Sequence, residues 1–161
     1  MNTQGFTVWL TGLPASGKSE VALALAELVR RKGVPVEVIN SGRMRQTPLG
    51  ASLGFSRDDR DTNVRRHAFA ARLLARNGVC AIVSAVSPYR ATRDSIRKEL
   101  GTYVEVHVST PRAACIERDR SGNWARALQG EIRGFTGVDD PYESPTGHEV
   151  TVDLSDQTAQ A

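Results

Sequence analysis

The chain has 161 residues, 40% of them hydrophobic and 24% charged, which excludes a disordered or collagen-like protein and suffices for one buried core. The formal net charge of +3 fits an anionic ligand and an ordinary basic surface equally well. Cys80 and Cys115 are too few for a disulfide framework or a zinc site, and no apolar run approaches the roughly 18 residues of a membrane-spanning helix. We therefore expect one soluble domain over residues 1–161, in the reducing cytoplasm, with no membrane or nucleic-acid partner.

The first predicted elements are a buried strand at residues 6–10 and a helix that begins near residue 17. Between them, residues 12–19 match G-x-x-x-x-G-K-[ST] at every required position. In such a phosphate-binding loop, called the P-loop below, backbone N–H groups and the helix N-terminus surround a phosphate chain. Lys18 would reach the β- and γ-phosphates, and the Ser19 hydroxyl would bind Mg²⁺. The sequence therefore predicts a nucleoside triphosphate site formed by Gly12, Leu13, Pro14, Ala15, Ser16, Gly17, Lys18 and Ser19.

Strands and helices then alternate along the chain. Strands are predicted at residues 34–39, 79–84, 103–108 and 149–154, and helices at 56–77, 87–100 and 110–119. This alternation predicts an α/β fold, a three-layer sandwich in which helices cover both faces of a mostly parallel sheet. Residues 40–52 carry no helical period and are expected to form a loop at the ligand-binding edge of the sheet. We expect residues 120–142 to form a lid, and the tail 155–161 to fray.

The helix predicted at residues 56–77 combines an apolar face with polar side chains. A capping box at Ser56 begins it. Its buried face is predicted to consist of Val64, Ala68, Ala71 and Ala75. Arg60, Asn63 and Arg66 lie within two turns of each other and can bind sulfate, phosphate or base edges, although such residues more often form a solvated face. His67 is expected on the helix surface.

Three later stretches, residues 53–66, 87–90 and 130–143, closely resemble the adenylylsulfate (APS) kinase family, and the likeness extends from about residue 6 to residue 154. Members of that family transfer the γ-phosphoryl group of MgATP to the 3′-hydroxyl of APS, which gives the sulfate donor PAPS. The resemblance implies a phosphotransferase of sulfate assimilation with the P-loop nucleoside-triphosphate-hydrolase fold. ATP and Mg²⁺ are the implied cofactors, and APS or an analogue is the implied partner. A homodimer is compatible with the resemblance.

The motifs of the family imply roles for matching positions of this chain. Lys18 and Ser87 are implied to be catalytic, and Arg118 joins the nucleotide-binding residues. The implied acceptor-binding residues are Arg45, Phe55, Arg60, Asn63, Arg66, Ser87, Arg133 and Phe135. Phe55 and Phe135 can sandwich an adenine, since stacking of a base on an aromatic ring is worth about 1–3 kcal/mol; the alternative is that both anchor loops in the core. Trp124 in the lid suits packing as well as ligand contact.

The segment after the second strand departs from the family. There the family has two aspartates and an arginine, and one aspartate is the usual candidate for general base. Aligned without a gap from residues 53–55, the aspartates are replaced by Ser41 and Arg43. Aligned from the end of the strand, they are replaced by Asn40 and Gly42, and the arginine is kept as Arg45. Both alignments remove both carboxylates.

The missing carboxylates leave three hypotheses. In the first, the chain is an APS kinase that turns over slowly, because general-base catalysis typically contributes about 10²–10⁴-fold. In the second, it is a kinase of the same fold for a different nucleotide-like acceptor, and Arg43 is a catalytic residue that holds an extra anionic group. In the third, it is a regulatory domain that binds APS or PAPS without turnover. The intact P-loop favours the two kinases.

Overall fold

The computed structural model describes residues 4–156, in which five strands alternate with six helices. The strands are β1 (Thr7–Thr11), β2 (Val36–Asn40), β3 (Cys80–Ser84), β4 (Tyr103–Val108) and β5 (Val150–Val152). The helices are α1 (Lys18–Arg31), α2 (Ser41–Met44), α3 (Arg57–Arg76), α4 (Arg90–Leu100), α5 (Arg112–Arg118) and α6 (Asn123–Leu128). The predicted fraying of the tail concerns residues that lie mostly beyond 156, outside the described part of the chain.

The strands form one parallel sheet in the order β2-β3-β1-β4-β5. Because β1 is central, Trp9 lies between Val83 of β3 and Glu105 of β4. The prediction of an α/β fold with a parallel sheet is confirmed. The carboxyl ends of parallel strands meet at one edge of a sheet, which is where ligands bind in open α/β folds. The P-loop begins directly after β1 and therefore lies at the middle of that edge.

Two apolar clusters separate the sheet from the helices on its two faces. Successive residues of a strand point to opposite faces. Val8 and Leu10 accordingly pack with Ala22 and Ala26 of α1, whereas Trp9 belongs to the cluster that contains residues of α3 and α4. The three-layer arrangement follows from this alternation, since β1 is apolar on both faces and needs a helical layer against each.

Helix α3 buries the face that the sequence predicts. Val64, Ala68, Ala71 and Ala75 are each at most 8% exposed. The expectation for His67 is wrong, because its side chain is fully buried and its Nδ1 contacts the Asn63 carbonyl one turn earlier. Burial lowers the pKa of His67 and favours the neutral ring.

Three segments differ from the predicted elements. The expected loop at 40–52 opens with the short helix α2, which Asn40 caps by accepting a hydrogen bond from the Arg43 N–H at 3.1 Å. The sequence predicts Ser87 as the cap and Pro88 as the first residue of the next helix, whereas α4 begins at Arg90 with Tyr89 as its N-cap. The expected lid contains the helix α6. Within residues 4–156, no helix is long and apolar enough to cross a membrane.

Candidate active site

The P-loop wraps closely around the carboxyl end of β1. A Cβ atom at Gly12 would lie 2.4 Å from the Val108 carbonyl oxygen of β4, so a side chain cannot be placed there. Gly17 caps α1 with a φ of 99°, a left-handed conformation that favours glycine. These two glycines let the loop turn back toward the helix N-terminus, where its N–H groups can face an anion.

Lys18 is buried beneath this loop. Its Nζ donates to the carbonyl oxygens of Gly12 at 3.0 Å and of Leu13 at 2.7 Å. Burial lowers the pKa of Lys18 from 10.5 to about 8. A phosphate group there would supply the opposite charge that favours the protonated amine.

Ser19 lies beside polar side chains from the ends of the two neighbouring strands. Asn40, the last residue of β2, donates from Nδ2 to the Ser19 Oγ at 2.9 Å. Ser84, the last residue of β3, has its hydroxyl 3.5 Å from the same oxygen. Because the Asn40 Oδ1 caps α2, the amide is oriented with its N–H₂ group toward Ser19. Ser19, Asn40 and Ser84 form a neutral polar cluster, called the Ser19 cluster below.

A cavity of about 650 Å³ extends from the P-loop to the lid. It lies within the usual size range of small-molecule sites. The sequence-predicted residues that line it are Pro14, Lys18, Ser19, Arg45, Phe55, Arg60, Asn63, Ser87, Arg133 and Phe135. The structure thus joins the expected donor and acceptor residues around one space.

Arginines hold the far wall of this cavity together. Arg45 donates to the carbonyls of Leu53 at 3.0 Å and Gly54 at 2.9 Å, and its guanidinium lies 4.4 Å from the ring centre of Phe55. Arg60 donates to the Phe55 carbonyl at 3.1 Å and also to the carbonyl of Gly134 in the lid. These contacts fix the turn that precedes α3 and connect it to the lid.

The two predicted stacking rings differ in their surroundings. Phe55 is 61% exposed and therefore does not anchor a loop in the core. Phe135 is half-buried and packs edge-to-face on the buried Trp124 with ring centres 5.0 Å apart. Trp124 also donates to the Pro14 carbonyl at 3.0 Å, which attaches α6 to the P-loop. Trp124 packs under Phe135, and both phenylalanine rings remain available on the cavity side.

Comparisons with known proteins fit this arrangement of a P-loop, an acceptor wall and a lid. Residues 4–153 match the family model described as adenylylsulphate kinase. The chain belongs to the APS kinase family. The adenylyl-sulfate kinase of Rippkaea orientalis is 49% identical over 150 residues, which cover 93% of this chain and 82% of that relative. The probable adenylyl-sulfate kinase of Synechocystis sp. is also 49% identical over 150 residues, 93% of this chain and 84% of its own.

Among solved structures, the APS kinase CysC of Mycobacterium tuberculosis in complex with AMPPNP and APS is similar to this chain with a TM-score of 0.89 at 40% identity. The similarity covers 93% of this chain and 88% of that one. These matches establish the P-loop kinase fold of the chain. They also establish that it belongs to a family of phosphotransferases.

Within the APS kinase fold, three predicted arginines lie away from the cavity wall. Arg43 is exposed on α2 and is not among the lining residues of the cavity. Arg66 donates to the Leu49 carbonyl and holds the loop after α2. Arg118 pairs with Glu20 at 2.5 Å, with a guanidinium nitrogen near Gly17 at the start of α1.

The structure also shows where the positions of the two alignments of the altered family segment lie. A helix turns by about 100° per residue, so Arg43 and Arg45 point in different directions from α2. Only Arg45 of the two reaches the cavity, and Asn40 occupies the end of β2 beside Ser19. Asn40 and Gly42, the aspartate positions of the alignment that starts from the strand, both line the cavity, and so does Ser41, the first aspartate position of the ungapped alignment.

Several lining residues were not singled out from the sequence as members of the site. They include Asn40, Ser41, Gly42, Ser84, Asn123 and Arg126. Asn40 and Ser84 end the adjacent strands β2 and β3, so the rule that ligands bind at carboxyl ends could have identified them. Arg126 lies on α6, a helix that the sequence did not predict, and no comparable signal was available for it.

The cavity wall is strongly cationic. Five lining residues carry positive charge in their ordinary forms: Lys18, Arg45, Arg60, Arg126 and Arg133. Within residues 4–156, no Asp, Glu or His lines this space. Burial, followed by the nearby charge of Arg60, lowers the pKa of Arg45. Arg60 pairs with Asp140 at 3.6 Å and Arg126 with Glu131 at 3.2 Å, and neither carboxylate is among the lining residues. A wall with this excess of positive charge favours anionic ligands such as phosphate or sulfate.

Proposed function

We propose that this chain transfers the γ-phosphoryl group of ATP to the 3′-hydroxyl of APS and so produces PAPS. The observation that supports this most directly is the single cavity that joins Lys18 and Ser19 to Phe55, Asn63 and Phe135. The first two residues suit the triphosphate of the donor, and the aromatic rings suit the adenine of the acceptor. The name and complex of the similar kinase from M. tuberculosis supply the substrate class.

The proposed reaction needs few covalent roles from the protein. The bond between the γ-phosphorus and the bridging oxygen of ATP breaks, a bond from the acceptor oxygen forms, and the proton of the acceptor hydroxyl departs to solvent. Because phosphoryl transfer depends mainly on positioning and charge neutralisation, the protein's main task is to align two anionic nucleotides. Lys18 on the donor side and Arg45, Arg60 and Arg133 on the acceptor side would supply the neutralising charge.

Mg²⁺ is the metal that this family implies, and the Ser19 cluster fits it in part. Hydroxyl oxygens such as those of Ser19 and Ser84 are hard ligands that suit Mg²⁺. Mg²⁺ in kinases is usually held by one or two carboxylates together with substrate phosphates, and this cavity wall offers no carboxylate among residues 4–156. We propose that Ser19 is the protein's ligand and that the nucleotide supplies most of the others. When bound, the ion neutralises charge on the β- and γ-phosphates.

A second candidate function is phosphoryl transfer to a different nucleotide-like acceptor. The observation that favours it is the replacement of the family's acidic segment by α2 residues without a carboxylate. The general base of the usual acceptor is then missing, whereas the cationic wall remains suited to sulfate or phosphate groups. APS stays the first candidate because Phe55, Arg60, Asn63 and Phe135, which the family resemblance implies for its recognition, all line the cavity.

An ADP-release assay with APS and a panel of nucleotides tests the proposal. We expect APS to give the highest kcat/KM, and a higher value for another nucleotide would favour the second function. Lys18→Ala should abolish turnover in a folded protein, with exposed Lys32→Ala as the matched control that keeps it. Calorimetric binding of APS with no turnover of APS or of any nucleotide in the panel, in the presence of MgATP, would contradict both kinase proposals.

A further inference from the structure

The side-chain amide of Asn40 has both of its ends fixed. Its Oδ1 accepts a hydrogen bond from the Arg43 N–H at 3.1 Å, and its Nδ2 donates to the Ser19 Oγ at 2.9 Å. An amide oxygen can only accept and an amide nitrogen can only donate, so the contact with Arg43 excludes the flipped orientation. At the end of β2, Asn40 therefore presents an N–H group, and no oxygen, to Ser19.

An N–H group in this position opposes the binding of a cation. Its hydrogen carries partial positive charge, and it occupies one of the two lone pairs with which the Ser19 hydroxyl could bind a metal ion. A carboxylate at the same place would instead attract the ion by its charge and supply oxygen ligands, which is how proteins usually hold Mg²⁺. Asn40 thus reduces the contribution of the protein to metal binding, although a second lone pair remains on the Ser19 oxygen.

The neighbouring strands do not compensate for this loss. Thr11 and Ser84, at the ends of β1 and β3, are neutral, and Asp153 directly after β5 is not among the residues that line the cavity. Among residues 4–156, no group of three or more His, Cys, Asp or Glu side chains could hold a metal ion. The five cations of the cavity wall are consequently combined with no carboxylate from the described part of the chain.

This distribution of charge determines which form of the nucleotide the site favours. Mg²⁺ neutralises part of the negative charge of a triphosphate, so metal-free ATP interacts more strongly with a cationic wall than MgATP does. A preference for MgATP therefore has to come from protein groups that bind the ion. The Ser19 hydroxyl is the group best placed for this, and it is shared with the Asn40 amide.

We propose that Asn40 is a specificity-determining residue, through which this chain binds metal-free ATP with an affinity comparable to or higher than its affinity for MgATP. This inference rests on the proposed function, in which the P-loop holds the phosphoryl donor. Because linkage is reciprocal, the complex with ATP binds Mg²⁺ no more tightly than ATP alone does. The ion then enters the site with the nucleotide, and metal-free ATP competes with MgATP.

Calorimetric titration of the wild-type protein with the ATP analogue AMPPNP, once in excess EDTA and once in excess Mg²⁺, tests the proposal. We expect any preference for the magnesium form to stay below about fivefold, the smallest factor typical of coupled ligands. A larger preference for the magnesium form would overturn the proposal. Binding of neither form would instead contradict the proposed function, because the P-loop would then not be the donor site.

Asn40→Asp tests whether this residue sets the ratio of the two affinities. A carboxylate beside Ser19 attracts Mg²⁺ and repels the bare triphosphate, so that ratio should shift by about tenfold or more toward the magnesium form. Asn77→Asp is the matched control, because it adds the same charge at the exposed C-cap of α3, before β3 and so at the opposite edge of the sheet. It should leave the ratio unchanged. Equal shifts in both variants, or an unchanged ratio in Asn40→Asp, would overturn the role of Asn40.

Steady-state kinetics of the wild-type protein provide a second readout that needs no variant to fold. At a fixed concentration of MgATP, metal-free ATP added in excess over Mg²⁺ should inhibit APS turnover competitively. Its inhibition constant should lie no more than about fivefold above the Kd of the magnesium form. Turnover that stays constant as metal-free ATP rises far above MgATP would refute the proposal. A protein that binds both forms of AMPPNP but turns over no acceptor would contradict the proposed function alone, so the two failures are distinguishable.

Discussion

Lys18 is the residue whose charge is least well accommodated by the folded protein without a ligand. The pKa of Lys18 is about 8 in the folded state, whereas its ordinary value is 10.5. Between pH 8 and pH 10.5 the unfolded chain therefore binds one proton more than the folded protein. The stability of the protein should therefore rise as the pH increases from 8 to 10.5, by up to about 3 kcal/mol from this group.

We expect Lys18→Met to remove this pH dependence. The variant should gain stability relative to the wild type below pH 8, where the buried amine is charged, and lose that advantage by pH 10.5. Urea unfolding at pH 7 and pH 10 measures the difference, with Lys32→Met as the exposed control. A constant difference between wild type and Lys18→Met across this range would show that burial does not lower the pKa of Lys18.

Phe55 allows ligand stacking to be measured almost free of stability effects. Because this ring is 61% exposed, Phe55→Ala should leave the free energy of unfolding nearly unchanged. It should weaken APS binding by about 1–3 kcal/mol and leave MgATP binding unaffected, which calorimetry can measure. Phe135→Ala should weaken APS binding similarly but also cost stability, since its ring packs on Trp124. Unchanged APS affinity in both variants would exclude the sandwich.

At the scale of single elements, the orientation of α2 determines at which of its positions a carboxylate would face the cavity. Gly42 lines the cavity and Arg43 does not. Gly42→Asp should therefore raise APS turnover, by up to about 10²-fold if the new acid acts as a general base. Arg43→Asp is the matched control and should have little effect. Steady-state kinetics of the two variants compare the sites directly, and a larger gain from Arg43→Asp would favour the ungapped alignment.

Element predictions from the sequence succeeded where one periodicity governed a long segment. Helix α3 buries the predicted alanines because its apolar spacing is regular over its 20 residues. The segments at 40–52 and 87–89 were predicted less well, since local side-chain bonds determine them. Asn40 stabilises α2 by capping its N-terminus. Trp9 and Arg93 bind Ser87 in a position before α4. Contacts between residues 78 positions apart leave no local pattern in a sequence.

The candidate site was predictable to the extent that strand ends and motifs specify it. The eight residues of the P-loop predicted the donor half of the candidate site. The family resemblance supplied Phe55, Asn63 and Phe135. The placement of Arg43, Arg66 and Arg118 off the cavity wall could not be read from the chain. Arginine side chains are long, and whether they meet a ligand or a carbonyl oxygen depends on the tertiary position of that carbonyl.

At the scale of the whole molecule, a buried ion network connects the sheet to the segment after the lid. Glu105 on β4 lies 3.0 Å from Arg93 and 3.0 Å from Arg97, and Arg97 also pairs with Glu149 at 2.5 Å. Removing one member of a buried pair leaves an unpaired charge and typically costs about 3–5 kcal/mol. Because Arg93 also donates to the carbonyl of Ser87, this network is connected to a residue that lines the cavity.

We expect Glu105→Gln to destabilise the protein by about 3–5 kcal/mol in urea unfolding. The exposed pair of Arg65 and Glu99, 3.6 Å apart, provides the control. Glu99→Gln should cost about 0–1 kcal/mol, as is usual for a surface ion pair. Similar losses from both substitutions would mean that the buried network contributes no more than a solvated one.

The double use of Asn40 has a consequence for how this enzyme can evolve. One end of its amide caps α2 and the other end faces the Ser19 hydroxyl. Asparagine and aspartate are about equally good at a helix N-cap, so exchanging them preserves the local fold. An exchange of asparagine for aspartate at this position can thus place a negative charge beside Ser19 at little cost to the helix cap.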